Sequence, residues 1–588
     1  MRREAIREGF RKQIRASSGA PTDNIPIHGG TMRILLPLLL LITVTAQAAG
    51  PGKNAVASAH PLATDAGMEI LAKGGNAYDA AIAVAAALAV VEPYSAGMGG
   101  GGFWLLHRES DGLQTFVDAR ETAPDAAIPT MYQDRDGKVV RDWALNGPSA
   151  AGIPGQAAAF VHLADNYGKL PLKTSLAPAI RLAREGFEVE DHYRKLAGYR
   201  EEVLNRFPEA AALFLHNGKV PPAGHVIKQP DLARVLTLLA EKGKAGFYQG
   251  EVARKLVEGV EQAGGIWTLE DLANYDVIER SPTVSTFKNA RIVSAPPPSA
   301  GGIVMGQALN ILSQFEGEPD THLIVEAMRR AYQDRARYLG DPDFVDIPVD
   351  KLLSSDYAKQ RASTINLDEA TPSHTLGEPL SVEEGFHTTH LSVLDKAGNR
   401  VAATLSINLP FGSGFVPPGT GVLLNNEMDD FSAKPGVPNA YGLVGSEANA
   451  IAPGKRPLSS MTPTFVEFDD RVAILGTPGG SRIITMVMLG VLEAANDQPV
   501  DAWVNRVRFH HQYLPDEVQA EPAFVGSEAA KELMLRGHHV VSTGRDYGNM
   551  QAILWRKGSN EVTAASDPRG IGSAAVSGQA PLKKTGTD

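Results

Sequence analysis

The chain has 588 residues, 43% hydrophobic and 21% charged, which is ordinary globular composition and enough apolar sequence for a large core. A formal net charge of -11 leaves no basic stripe of the kind that phosphate backbones attract, which argues against nucleic acid as a partner. The lack of cysteine excludes a thiol nucleophile, a disulfide framework and any zinc site built on thiolates.

Near the start, "MRILLPLLLLITVTAQAAG" has a basic opening at Arg33, an apolar run from Ile34 to Val44 and small residues at Ala46 to Ala48. This is the pattern of a secretory signal peptide over residues 32–48. The apolar run is about half the roughly twenty residues a membrane span needs. The expectation is a periplasmic or secreted protein whose mature chain has no stable membrane span, with residues 1–31 an over-called extension ahead of a true start at Met32.

After the leader, Thr64 is the predicted N-cap of a helix that stops at Gly74 and Gly75. Asn76 then caps an alanine-rich helix that is apolar nearly all round, as a helix buried between layers is. The run "GMGGGGF" lets backbone approach another element closely, and "FWLLH" and "LQTFVDARE" are predicted paired strands. From about Pro148 to Gly340 the pattern is mostly helical, with a stiff "SAPPPSAGG" loop between a strand and a helix. Leu367 to Phe386 shows no periodicity and is predicted to be an exposed loop or a boundary. Past it, "TTHLSVLD" and "RVAATLSI" flank "KAGN" as a hairpin. Further strands are expected at "GVLLN", "TPTFVEFD" and "RVAILGTPG", then a helix at "RIITMVMLGVLEAA" and a polar tail. Helices first and strands later suggest stacked layers of α and β.

Four constellations carry candidate chemistry. In "HTTH", His387 and His390 are an odd number of residues apart, which on a strand sends them to opposite faces and speaks against a metal; threonines there are ordinary strand formers. In "NNEMDDF", Glu427, Asp429 and Asp430 form either a solvated turn or a fixed negative pocket for a substrate ammonium. In "GKRPLSSMTP", Ser459 and Ser460 are either a plain turn or hydroxyls able to hold a carboxylate. In "LGTPGGSRIITMVML", a strand, a glycine turn and a helix present free backbone N–H groups to an anion, but neither nucleotide-binding glycine pattern is matched.

The order of "TTHLSV", "NNEMDDFS", "KRPLSSM" and "GTPGGS" resembles the γ-glutamyltransferase family, a branch of the N-terminal nucleophile hydrolases. The resemblance extends from "GKNAVASAHPLATDAGMEILAKGGNAYDAAIA" through "VDARETAP" to the last helices. It implies an α+β fold, a four-layer αββα sandwich, and a precursor that cuts itself between His387 and Thr388. A large subunit (49–387) and a small one (388–588) then stay paired as a heterodimer. Thr388 becomes the nucleophile, its new α-amine the base, and Gly479 and Gly480 the oxyanion-hole pair. Arg120, with Ser459 and Ser460, is expected to hold the substrate α-carboxylate, and Asn408, Glu427 and Asp430 its α-ammonium. Thr389 is expected to support the nucleophile, and Tyr441 to tip a lid loop. Two departures stand out: Ser406 where many members have a second threonine, and Glu427 where some bacterial members have glutamine. The implied substrates are glutathione and other γ-glutamyl compounds, with water or amino-acid and peptide amines as acceptors and no metal or organic cofactor. Cephalosporin acylases of the same architecture, and a binding protein without turnover, are the alternatives.

Overall fold

The hairpin around "KAGN" is the centre of the molecule. In the computed structural model, which describes residues 50–376, 388–437, 439–443 and 445–579, the strands Thr389–Leu394 and Arg400–Ser406 pair antiparallel, with Thr389 opposite Leu405. Asp395 sets the turn: its carboxylate accepts from the Ala397 and Asn399 N–H groups at 2.8 and 3.1 Å. The same carboxylate accepts from the Ala77 N–H at 3.0 Å, which ties the turn to the alanine-rich helix.

Around this hairpin grows a seven-stranded antiparallel sheet in the order Ser573–Val576, Ala55–Ser58, Thr389–Leu394, Arg400–Ser406, Gly101–Arg108, Leu113–Ala119, Ile278–Arg280. A second, six-stranded sheet runs Glu561–Ser566, Gln551–Arg556, Arg471–Gly476, Thr464–Glu467, Ala290–Ser294, Thr283–Phe287. The two-residue period of a strand explains how they stack. Leu391 and Val393 pack with the helix Ala77–Val91 on one side, whereas Leu394 packs with the second sheet on the other. His390 and Ser392 share the face of Leu394. The Ser392 hydroxyl donates to Gln551 O at 3.1 Å, and His390 Nδ1 lies 2.8 Å from Thr404 Oγ1. Helices Pro61–Ala72, Ala77–Val91, Gln156–Asn166 and Leu172–Glu185 cover the first sheet. Helices Gly301–Leu312, Thr321–Tyr338, Ile483–Ala495 and Val500–Asn505 cover the second. This is the expected αββα order, all within one compact unit.

Local expectations hold in part. Asn76 forms a capping box with Asp79, and all fifteen residues of the helix it starts are buried. The preceding helix begins earlier than predicted, at Pro61 with His60 as N-cap; Thr64 sits inside it and turns its hydroxyl to Ser573 O. "GVLLN" is no strand: Leu424 makes one isolated bridge to Gly99, because this segment lies against the glycine run rather than a sheet edge. A Cβ on Gly99 would stand 2.2 Å from Leu423 O, so the close approach expected of "GMGGGGF" is real. The mainly helical stretch also carries five short strands, Phe187–Glu188, Val226–Ile227, Ile278–Arg280, Thr283–Phe287 and Ala290–Ser294. The segment after Leu367 is not simply exposed: Ser373 is buried, and its N–H donates to Asp516 at 2.7 Å. His387, the proposed leader, residues 377–386 and the end of the tail lie outside the described residues. Among the described residues, no helix is long and apolar enough to cross a membrane.

Between the two sheets, Gly476 leaves room for the His390 ring, which a Cβ would approach to 2.2 Å. Gly476→Ala is therefore expected to force the sheets apart and cost about 1–3 kcal/mol, measured by chemical denaturation. Ala473→Gly, a few residues along the same strand, opens no such clash and serves as the comparison.

Candidate active site

Several elements end at one place. Thr388 precedes the strand Thr389–Leu394, and Ser406 ends the adjacent strand, one residue beyond the Leu405–Thr389 pair. Arg120 follows the strand Leu113–Ala119, where its carbonyl accepts from the Tyr275 hydroxyl at 2.8 Å. Glu427 and Asp430 lie on a single 3-10 turn. Ser459 and Ser460 precede the strand Thr464–Glu467, and Gly479 and Gly480 link the strand Arg471–Gly476 to the helix that begins at Ile483. Thr388, Ser406, Asn408, Arg120, Glu427, Asp430, Ser459, Ser460, Tyr441 and Gly480 all line one small cavity of about 20 Å³. Gly479 faces a second, larger cavity that also contains Thr388.

The first cavity is small because its charges close on one another. Arg120, 1% exposed, donates to Glu427 at 2.6 Å, to Asp430, and to Pro457 O at 3.2 Å. Burial opposes the guanidinium charge, but Glu427, Asp430 and Glu121 outweigh it and hold Arg120 above its ordinary range. Burial pushes Glu427 up, against the pull of Arg120. Burial, reinforced by Glu427, raises the Glu121 carboxyl well above the ordinary carboxylate range, against the pull of Arg120. The turn is thus a buried negative pocket, and the solvated-turn alternative is set aside. Ser459 Oγ accepts from the Met461 N–H and Ser460 Oγ from Arg335, which leaves each hydroxyl proton available to an anion.

Gly479 and Gly480 have φ of 143° and 57°, the region that suits glycine. Among the described residues neither N–H donates to a protein acceptor, so both remain able to serve an oxyanion. Tyr441 covers this turn. Its ring lies where a Cβ on Gly480 would be, 2.3 Å from that position, and its hydroxyl donates to Asn408 O at 2.9 Å. Asp429 and Asp430 pin the same loop through Ala440 N–H (3.0 Å) and Asn439 Nδ2 (3.1 Å). Burial, with Asp430 beside it, pushes the Asp429 carboxyl up to about 7.

Two placements add to the sequence reading. The Thr389 hydroxyl donates to Glu92 at 2.8 Å. Arg335, from the helix Thr321–Tyr338, lines the cavity beside Ser460 and was not anticipated; its only signal is the basic stretch "DRARYLG". One cluster could hold a metal by proximity: His322, Glu326 and His538. Its groups are committed to hydrogen bonds instead: the two imidazoles meet at 2.8 Å, His322 Nε2 faces Asn366 O at 2.8 Å, and Arg330 bonds Glu326. Two guanidiniums, Arg329 and Arg330, flank it and oppose a cation.

Removing Arg120 leaves Glu427 and Asp430 buried without their counter-ion. Arg120→Met is expected to cost about 3–5 kcal/mol near pH 8. The folded carboxyl pKa values then lie above the unfolded ones of about 4, so this stability is kept below that pH and lost as pH rises through the folded values. Denaturation at pH 5 and pH 8 tests this; an equal loss at both would count against the ion cluster as the cause.

A family model described as gamma-glutamyltranspeptidase matches residues 63–577. The glutathione hydrolase proenzyme of Escherichia coli (strain K12) is 43% identical over 527 residues, covering 88% of this chain and 90% of that protein. Among solved structures, cephalosporin acylase from Bacillus halodurans superposes with a TM-score of 0.78 at 28% identity, over 95% of this chain and 99% of its own. Helicobacter pylori gamma-glutamyltranspeptidase has a TM-score of 0.53 at 38% identity, over 55% of this chain and 94% of its own. With a family model spanning most of its length, on the fold and site order described above, the chain belongs to the gamma-glutamyltranspeptidase family.

Proposed function

We propose that this protein is a self-cleaving γ-glutamyltransferase that takes the γ-glutamyl group of glutathione and related amides onto Thr388 and passes it to water or to an amine. The observation that carries this reading is the charge pattern of the Thr388 cavity: Arg120 paired with Glu427 and Asp430. A free amino-acid end offers one carboxylate and one ammonium. It can replace the internal pairing, its carboxylate taking Arg120, Ser459 and Ser460 while its ammonium takes Glu427, Asp430 and Asn408. The exchange keeps every buried charge paired, which uncompensated insertion would not.

The chemistry follows from the position of Thr388. Its hydroxyl oxygen attacks the His387 carbonyl carbon, the peptide C–N bond breaks, and the ester that results is hydrolysed by water. The freed α-amine, with an ordinary pKa of about 7.7–8.0, is then the base that takes the hydroxyl proton. On the substrate, Thr388 Oγ bonds to the γ-carbonyl carbon, the oxyanion is held by the Gly479 and Gly480 N–H groups, and the amine leaves with the proton. Ser406 stands at the end of the neighbouring strand, where its Oγ accepts from the Asn408 N–H at 2.8 Å and orders the loop that carries Asn408. Tyr441 over the turn limits water and substrate access. Residues 49–387 and 388–588 remain together as large and small subunits, in the periplasm or outside the cell.

An acylase acting on a glutaryl group would share fold and nucleophile, but such a group has no ammonium to satisfy Glu427 and Asp430. A binding protein would have no use for a threonine nucleophile beside two unoccupied glycine N–H groups. Thr388→Ala is expected to give a single uncut chain with γ-glutamyl turnover reduced at least about 10³-fold, while the wild type gives two fragments, the smaller beginning at Thr388. Intact mass, N-terminal sequencing and a γ-glutamyl-p-nitroanilide assay measure this. An uncut wild type without turnover would overturn the reading.

A further inference from the structure

Arg335 lines the glutamyl cavity yet takes no part in the exchange of charges described above. It lies on the helix Thr321–Tyr338, three residues after Tyr332, so the two side chains share a face. The Tyr332 hydroxyl donates to Ser481 O, directly after the glycine turn, and Arg335 donates to Ser460 Oγ at 3.2 Å. Asp334 has a different set of partners, accepting from the Tyr357 hydroxyl at 3.0 Å and from Gln307. One face of this helix end is therefore directed at the site.

Arg335 is 4% exposed, and among the described residues its guanidinium makes no hydrogen bond besides the one to Ser460, with Nε left without an acceptor. No carboxylate of the described residues pairs with it: Glu427 and Asp430, which line the same cavity, both pair with Arg120. Burial lowers Arg335 from its ordinary range, against the pull of Tyr332 and Asp430. A buried cation in this state is costly, and a site that keeps one lacks an anion. Arg120 is the opposite case, since each of its three guanidinium nitrogens already has an acceptor.

We propose that Arg335 is a positioning residue that makes the site select donors with a free α-carboxylate. It holds Ser460 with the hydroxyl proton turned to that carboxylate, and it supplies the positive charge that Arg120, shared between Glu427 and Asp430, offers only in part. This rests on the γ-glutamyl reading and adds a specificity determinant to it. A donor carboxylate gives the buried Arg335 charge its missing counter-ion. An α-carboxamide of nearly the same size brings no charge, so it leaves Arg335 as uncompensated as in the empty site. No bond to Arg335 forms or breaks during turnover; its effect is on which donor settles over Thr388.

The test uses the processed enzyme with two donors, γ-glutamyl-p-nitroanilide and its α-carboxamide counterpart, and reads the ratio of their kcat/KM values. Arg335→Gln still donates to Ser460 but carries no charge. It is expected to raise the KM for the carboxylate donor at least about tenfold, with kcat little changed, and to lower the donor ratio by the same factor. Arg335→Lys keeps the charge without the planar fork and is expected to recover part of that loss. A loss shared equally by both donors, as a purely structural role would give, or no loss at all, would overturn the assignment. Should Arg335→Gln fail to yield two subunits, Arg335→Lys decides alone: a severalfold rise in KM confined to the carboxylate donor supports the assignment, and an equal or absent change overturns it. A wild type that turns over neither donor would overturn the γ-glutamyl reading and this assignment with it.

Discussion

Arg120 meets Glu427 and Asp430 in the interior, and much of the site is arranged to make that pairing tolerable. Taking a guanidinium and two carboxylates out of water costs several kcal/mol for each ion, a cost that only close geometry and further hydrogen bonds repay. The molecule supplies both: Pro457 O accepts from Arg120 Nε, Asn425 Oδ1 accepts from the Glu427 N–H at 2.9 Å, and Asn439 donates to Asp430. Glu121, fully buried behind the arginine, has its carboxyl raised by the same burial. A rigid cluster of this sort is a poor source of stability compared with apolar packing. On the proposed reading its use is recognition, since its charges are already ordered where a zwitterion would need them.

The lid belongs to the same economy of charge. Asp429 and Asp430 are consecutive, yet one faces the loop backbone at Ala440 and the other divides itself between Arg120 and Asn439. Whatever loosens the Arg120 pairing therefore also reaches the loop that carries Tyr441. On the proposed reading, binding at Arg120 and closure of the loop would be linked through two adjacent carboxylates, with no long-range pathway required.

Much of this was legible in the sequence, for definable reasons. Motif order picked out Arg120, Asn408, Glu427, Asp430, Ser459, Ser460 and Gly480, and the structure brings them to one cavity. The capped alanine helix and the hairpin were visible because capping and turn residues act locally. Thr389 was named for its place next to Thr388, whereas its hydrogen bond to Glu92, a residue distant in sequence, is set by the tertiary arrangement. "GVLLN" has strand composition but no free sheet edge to join, which only the tertiary arrangement decides. The basic stretch around Arg335 did not single it out, because a basic residue on an amphipathic helix ordinarily faces water. Its burial follows from the helix Thr321–Tyr338 packing over the second sheet.

The strand order also explains why one cut can be survived. The seven-stranded sheet interleaves segments from the two sides of residue 388: Ala55–Ser58 lies between Ser573–Val576 and Thr389–Leu394, and Arg400–Ser406 pairs with Gly101–Arg108. The six-stranded sheet crosses the same divide where Thr464–Glu467 pairs with Ala290–Ser294. Separating the two pieces means breaking all four of these strand pairings and exposing both buried faces of the central strands. Outside the sheets, Ser373 and Arg329, from before the divide, both bond Asp516, from after it. Arg120 meeting Glu427 and Asp430 is one more contact of this kind. Under the proposed cut before Thr388, one covalent link would be lost from an assembly held by these others, and Arg120 would stay beside Glu427 and Asp430.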